Sequence, residues 1–472
     1  MKLKKRTGWM IAALCATATT VAQQPDTVLP KKYELTVKEA VDIAYQNVVE
    51  IKNAQIDYKL QQAKNKEILG QAMPQLNGTI SANHYFQVPK FLFPDATTTA
   101  IYTVLKNEGI QGSNGPITDV PDPVLRQISF QQPWNLSMGP VTVTQLLFQP
   151  DVFVGLQARK TALEYNQALI DQAKEKIKDS VYKRYYAILI TQKQLHFLDE
   201  NLTRLKKLYR DDSIMYKNGF AERLDLDKVQ VQINNVMNTR NILQSALNVS
   251  YSALKFALGV SQKDTVVLKD ELSIDLVKQN LLDESFRYED RPEIRTLNKV
   301  QQLQKLDIKR NKLGVLPTVA LAGNYTVNAM GGKFFTDKDT RWLQSSYVGL
   351  NINVPIFSSF QRKYKIQQSE LVLQKLNNTI DNVKQAIDFE QSITKESLKS
   401  ALANLDLQER NLELAERVYN TTKKKFEQGL GSSFEVLQAN IDYQTAQANY
   451  FYALYNVVTA KISYQYSLGK LQ

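Results

Sequence analysis

The sequence predicts a mainly α-helical chain with a small β part: long antiparallel coiled-coil hairpins that carry four amphipathic strands. Three observations point there. The 472 residues hold only 18 glycines and 14 prolines, about half the usual share, so tight turns are few and long elements are favoured. Apolar residues recur at strict sevens over long stretches, the mark of coiled-coil packing. The pattern is also written twice, one copy following the other.

The opening residues stand apart. Residues 1–22 read as a signal peptide: Lys2, Lys4, Lys5 and Arg6, an apolar stretch from Trp9 to Ala16, then small residues ending at Ala22. Cys15 is the one cysteine and lies inside this segment, so the mature chain is expected to hold no disulfide and no thiolate ligand. Lipidation of Cys15 is disfavoured by Leu14 before it, where a small residue is usual. The formal net charge of +12 includes those four basic residues; without them a milder basic excess is spread along the chain. With 43% hydrophobic residues the chain has ample material for a core, which excludes disorder. Beyond the leader no run of about 18 apolar residues occurs, so a membrane is expected to be met only as a β-barrel or at its surface.

The duplication is read from spacing. Tyr209, Tyr216, Gly219, Leu224, Asp225, Leu258 and Gly259 recur 210 positions on as Tyr419, Phe426, Gly429, Phe434, Glu435, Leu468 and Gly469. Glu50, Ile51, Pro74 and Leu76 recur at 243 as Glu293, Ile294, Pro317 and Val319, and Val141, Val143 and Phe148 at 209 as Leu350, Ile352 and Phe357. The first copy takes 74 residues from Pro74 to Phe148 where the second takes 40 from Pro317 to Phe357. The expected division is therefore a signal peptide at 1–22, a first repeat at 23–260 and a second at 261–472.

Each repeat opens with a helix, Leu35 to Gln71 and Leu281 to Leu313. Thr36 and Glu39 spell a capping box at the first, and Pro74 and Pro317 stop the two. The period then changes to two. Leu76, Ile80, Ala82 and Phe86 alternate with Asn77, Thr79, Ser81 and Asn83, and Val319, Leu321, Tyr325 and Val327 alternate with polar or small residues. Return strands follow at Trp134 to Leu147, with a slip at Gly139-Pro140, and at Tyr347 to Ile356. The β-hairpins span 75–148, with a long loop at 87–133, and 318–357. Strands of about ten residues suit a tilted bilayer crossing, but four cannot close a membrane barrel, so a shared barrel is expected.

Helical hairpins at 152–260 and 359–469 complete the repeats. Val181, Ile188, Leu195, Leu202, Tyr209 and Tyr216 keep sevens with Leu198 and Leu205 between them; Leu398, Leu405, Leu412, Tyr419 and Phe426 repeat the register. A helix from Val152 to Ile214 is about 95 Å long. Gly219 and Gly429 take the place just beyond each helix end, and the chain returns through Leu226 to Leu258 and Val436 to Leu468.

Leader, duplication, paired β-hairpins and the tip segment Phe426-Glu427-Gln428-Gly429-Leu430-Gly431-Ser432-Ser433-Phe434-Glu435 together resemble the outer-membrane efflux protein family, the TolC-like channel-tunnels. The resemblance implies a homotrimer in the cell outer membrane, with four strands per chain in one 12-stranded transmembrane barrel and an α-barrel extending into the periplasm. It implies a passive exit duct for small molecules or polypeptides in tripartite efflux or type I secretion. The implied partners are a periplasmic adaptor, an inner-membrane pump of RND, ABC or MFS type, and outer-membrane lipid. The family's acidic constriction positions fall on Glu435 and, through the repeat, Asp225. A second acidic gate position is Gln438 here, the gate tyrosine is Phe426 and the gate arginine is Gly431, so the family's closing network is not conserved in kind. The tips offer Lys217, Gly219, Phe220, Gly429 and Leu430 as adaptor contacts.

Each candidate has a plainer role. Asp225 and Glu435 sit in first helical turns, where acids suit the helix dipole, and Ser432 with Glu435 spells a capping box. Gly219 and Gly429 fit turns of positive φ, and the heptad tyrosines are packing residues. His84 and His196 lack paired ligand spacing, so no metal is expected. No nucleophile elbow, phosphate loop or His-Glu-x-x-His is present, so neither enzyme activity nor a cofactor is expected, nor a nucleic-acid partner. An exported coiled-coil scaffold or adhesin without a pore also explains heptads and leader, but not the four amphipathic strands.

Overall fold

The structure is a computed structural model and describes residues 30–271, 286–333 and 340–471. The expected leader, with Cys15, and residues 281–285 of the helix expected from Leu281 lie outside the described residues; the described remainder corrects that helix, which begins only at Pro292 after a short turn at Tyr288–Asp290.

The chain enters through a short strand, β1 (Lys32–Leu35), then α1 (Val37–Asn47) and α2 (Val49–Gln71). Thr36 and Glu39 form the reciprocal capping box. The single helix expected over 35–71 is corrected on two counts: its first residue belongs to β1, and it breaks at Val48, whose backbone is extended while its N–H still reaches the Ala44 carbonyl. Next come β2 (Gln75–His84), an excursion with β3 (Phe91–Asp95), α3 (Thr97–Asn107), β4 (Gln111–Gly112), β5 (Gly115–Pro116) and β6 (Val124–Ile128), and the return strand β7 (Trp134–Phe148). The loop expected at 87–133 thus has secondary structure of its own. Two long helices follow, α4 (Pro150–Lys217) and α5 (Arg223–Leu258).

In the second half β8 (Thr265–Leu268) lies parallel to β1. Then come α6 (Pro292–Leu313), β9 (Thr318–Gly331), β10 (Arg341–Asn353), α7 (Gln361–Glu427) and α8 (Ser433–Ser467). Strand β10 begins and ends earlier than the expected 347–356, because β9 is long enough to pair with it from Arg341. The long helix of the first half exceeds 152–214 at both ends, and its 68 residues span about 100 Å.

The four long strands form one antiparallel sheet in the order β10-β9-β7-β2. Register makes its faces opposite in character. Leu76, Val143, Gly323 and Val348 form one row across the sheet, and Ile80, Met138 and Val327 continue that face. Asn77, Thr142, Asn324 and Tyr347 form a row on the other side. The register shifts between Met138 and Val141, where the sequence slips at Gly139-Pro140. Much of the apolar face is uncovered: Leu76, Ile80, Val348, Leu350 and Ile352 are all exposed.

The core runs along the helices in two clusters. The larger packs Val41, Tyr185, Ile188, Leu254, Leu405 and Leu454 from α1, α4, α5, α7 and α8. Here the buried Tyr185 hydroxyl donates to the Leu35 carbonyl at 2.8 Å, tying α4 to β1. The smaller cluster, toward the helix turns, holds Leu205, Val229, Ile233, Val236, Tyr419, Val436 and Tyr443.

Candidate functional site at the helical tips

Both hairpins turn by the same device. At the first, the Phe220 and Gly219 amides donate to the carbonyls of Met215 and Tyr216; at the second, Leu430 and Gly429 donate to Lys425 and Phe426. These are Schellman closures, and the glycines take φ of 81° and 74°. The turn places Phe220 and Leu430 outermost, 82% and 76% exposed, beside exposed Lys217.

Asp225 lies in the first turn of α5 and Glu435 in the first turn of α8, where the free amides favour negative charge. Asp225 is not a bare carboxylate: Lys228 Nζ stands 3.5 Å from it and also 4.8 Å over the Phe434 ring, joining α5 to α8. Of the Ser432–Glu435 capping box the structure makes one half, the Glu435 amide donating to Ser432 Oγ at 3.3 Å. The Glu435 carboxylate instead folds over Gly431, its Oε2 lying 3.2 Å from where a Cβ would stand. A side chain at 431 would have to displace it. Gln438 is exposed and donates to Asp442 at 3.0 Å, and Phe426 packs, partly buried, against the smaller cluster.

The structure adds residues absent from the sequence reading. Asp212 of α4 is fully buried and accepts a hydrogen bond from Ser433 Oγ of α8, while its other oxygen has no partner. Burial pushes its carboxyl up from the ordinary aspartate value; the Ser433 bond opposes this, and Asp225 and Asp211 reinforce it. Farther from the tip, buried Asn440 donates to buried Asn201 at 2.8 Å, leaving one amide atom of each unpaired. Between these levels Arg204 lies over the stacked rings of Tyr419 and Tyr443, at 5.8 and 5.2 Å. The signal was present in the spacing: Leu198, Leu205 and Asp212 stand at sevens, as do Ser433, Asn440, Gln447 and Leu454. The seam between α4 and α8 thus sets buried polar residues among the apolar residues of the smaller cluster. Among the described residues no cluster of His, Cys, Asp and Glu could hold a metal ion, and no helix is long and apolar enough to cross a membrane.

Residues 289–470 match the outer membrane efflux protein family. No curated protein sequence matches the chain significantly. Solved structures do. The chain is similar to CusC, described by its role in transmembrane channel formation, at 15% identity and TM-score 0.69, over 92% of each chain. It is similar to the outer membrane protein VceC of Vibrio cholerae at 14% identity and TM-score 0.63, over 92% of this chain and 97% of that one. The Campylobacter jejuni CmeC outer membrane channel matches at 13% and 0.64, over 92% and 86%. Residues 289–470 thus resemble the outer membrane efflux protein family, and the chain shares the fold of these solved outer-membrane channels over 92% of its length.

Proposed function

We propose that this chain is the outer-membrane exit duct of a tripartite efflux or type I secretion system, passing small molecules or polypeptides passively from the periplasm to the exterior. The observation that carries the reading is the four-stranded sheet. One of its faces is polar, the other is apolar and uncovered, and its edges β2 and β10 lack partners within the described chain. Three copies, joined β2 to β10, give 12 strands with the apolar face to lipid and the polar face to a water-filled lumen. Trp134 and Trp342 lie on the apolar face near the end away from the helices, where an interfacial girdle belongs.

The division at 260/261 is a duplication on this reading. Helices α4 and α7 end 210 positions apart, at Lys217 and Glu427, and α5 and α8 begin 210 apart, at Arg223 and Ser433. Three chains then set six hairpins around one axis below the sheet. The tips form the periplasmic constriction, with Asp225 and Glu435 as its acids and Gln438, Phe426 and Gly431 around them. A periplasmic adaptor meets the exposed turn at Lys217, Gly219, Phe220, Gly429 and Leu430, and links the duct to an inner-membrane pump of RND, ABC or MFS type.

Planar-bilayer recording tests the gate. Replacing Glu435 by Lys exchanges three negative charges for three positive ones at the narrowest ring, so the ratio of cation to anion permeability should fall several-fold. An unchanged ratio removes Glu435 from the gate, and a chain that forms no conducting channel removes the duct reading itself.

A further inference from the structure

The excursion between β2 and β7, residues 85–133, has secondary structure but no core. No residue from Ala82 to Met138 is buried. Ribbon β3–β6 places Phe91 and Phe93 on one face, where Phe130 packs at 5.9 and 5.4 Å, and Leu92 on the other with Leu125. On that second face Leu92 is 62% and Leu125 61% exposed. Helix α3 likewise shows Ile101 and Val104, one turn apart, to solvent. A two-stranded ribbon and an 11-residue helix are each marginal in water. Two bare apolar faces on so slight a unit call for a cover.

We infer that the cover is a second copy of this chain: the Leu92/Leu125 ribbon face of one excursion seats the Ile101/Val104 helix face of the next, and three copies close a cap over the mouth of the duct. The inference rests on the trimeric reading above. The excursion leaves from β2, the sheet edge that meets the neighbour's β10 on that reading, so it stands at the seam between chains and beside the next excursion. Two different faces on one unit make a head-to-tail contact, the kind that closes in a ring under rotation. The charges also fit a protein better than an anionic lipid surface: Lys90, Lys106 and Arg126 stand against Asp95, Glu108, Asp119 and Asp122, without the basic excess such a surface selects. Tethering at a shared barrel supplies a high effective concentration, so modest apolar faces suffice.

Disulfide trapping tests this in the full chain. With Cys15→Ser, the paired substitutions Leu125→Cys and Val104→Cys should give covalent dimers and trimers on a denaturing gel after mild oxidation, whereas either single substitution should stay monomeric. The detergent-extracted particle is weighed in parallel. A particle of three chains that yields only monomer bands, with both thiols open to maleimide, overturns the cap. So does an intrachain disulfide, which would mean that the two faces cover each other. Thiols shielded in membranes but labelled in the detergent particle, without crosslinks, assign the faces to lipid and overturn it too. A particle of one chain overturns the trimer, and the cap with it.

Discussion

Asp212 is the residue at which burial and charge conflict most directly. Its carboxyl is fully enclosed, bonded through one oxygen to Ser433 and unpartnered at the other, and burial raises its proton affinity. A carboxyl whose folded value lies above its unfolded one, near 3.9, contributes stability that is complete below that ordinary value and is lost as pH rises through the raised one. The contribution of Asp212 to the tip seam between α4 and α8 is therefore greatest in acid and is lost as pH rises through its raised value. Hydrogen exchange at the first turns of α8, corrected for intrinsic rates, should show protection falling as pH rises through that window. Asp212→Asn, neutral at every pH, should flatten the trend; the same slope in the variant would remove Asp212 as its source. The same scale accounts for how the two tip acids are held. Gly431 leaves the space that Glu435 fills, and Lys228 balances Asp225, so the acids here are held by different partners from those the family resemblance implies.

At the scale of the element, the α4–α8 seam sets firm apolar packing beside deliberate polarity. Asn201 and Asn440 share one hydrogen bond and strand two amide atoms in the interior. Removing one partner leaves the other wholly unpaired, so Asn201→Leu alone should destabilise by about 1–3 kcal/mol. Removing both should be near neutral or stabilising. Thermal melts of the two single variants and the double variant form a cycle that should be strongly non-additive. Additive losses would show that the pair is not coupled. Helix and strand periods were legible because each is a direct consequence of one-sided burial: Leu198 and Leu205 marked the seam, and alternation at Leu76–Phe86 and Val319–Val327 marked the sheet faces. Asp212 continues the Leu198–Leu205 line and Asn440 the line that runs through Leu454, so their spacing was present in the sequence, but polar residues at those positions do not mark a seam by hydrophobicity. The β1–β8 pair joins Lys32 to Thr265 across most of the first half, beyond the reach of any local signal. The break at Val48 and the elements of 85–133 lack a buried stripe from which they could be read.

At the scale of the molecule, the described residues of one chain form a sheet with an uncovered apolar face and no strand beyond β2 or β10, carried on helices of about 100 Å. On the proposed reading, neighbouring chains join those edges and lipid covers the apolar face. The number of chains that share the sheet is decisive. The most direct measurement is the protein mass, with bound detergent subtracted, of the particle extracted from the outer-membrane fraction. Three chains per particle is the result predicted; a single chain, or recovery only from the soluble periplasm, would contradict the shared barrel.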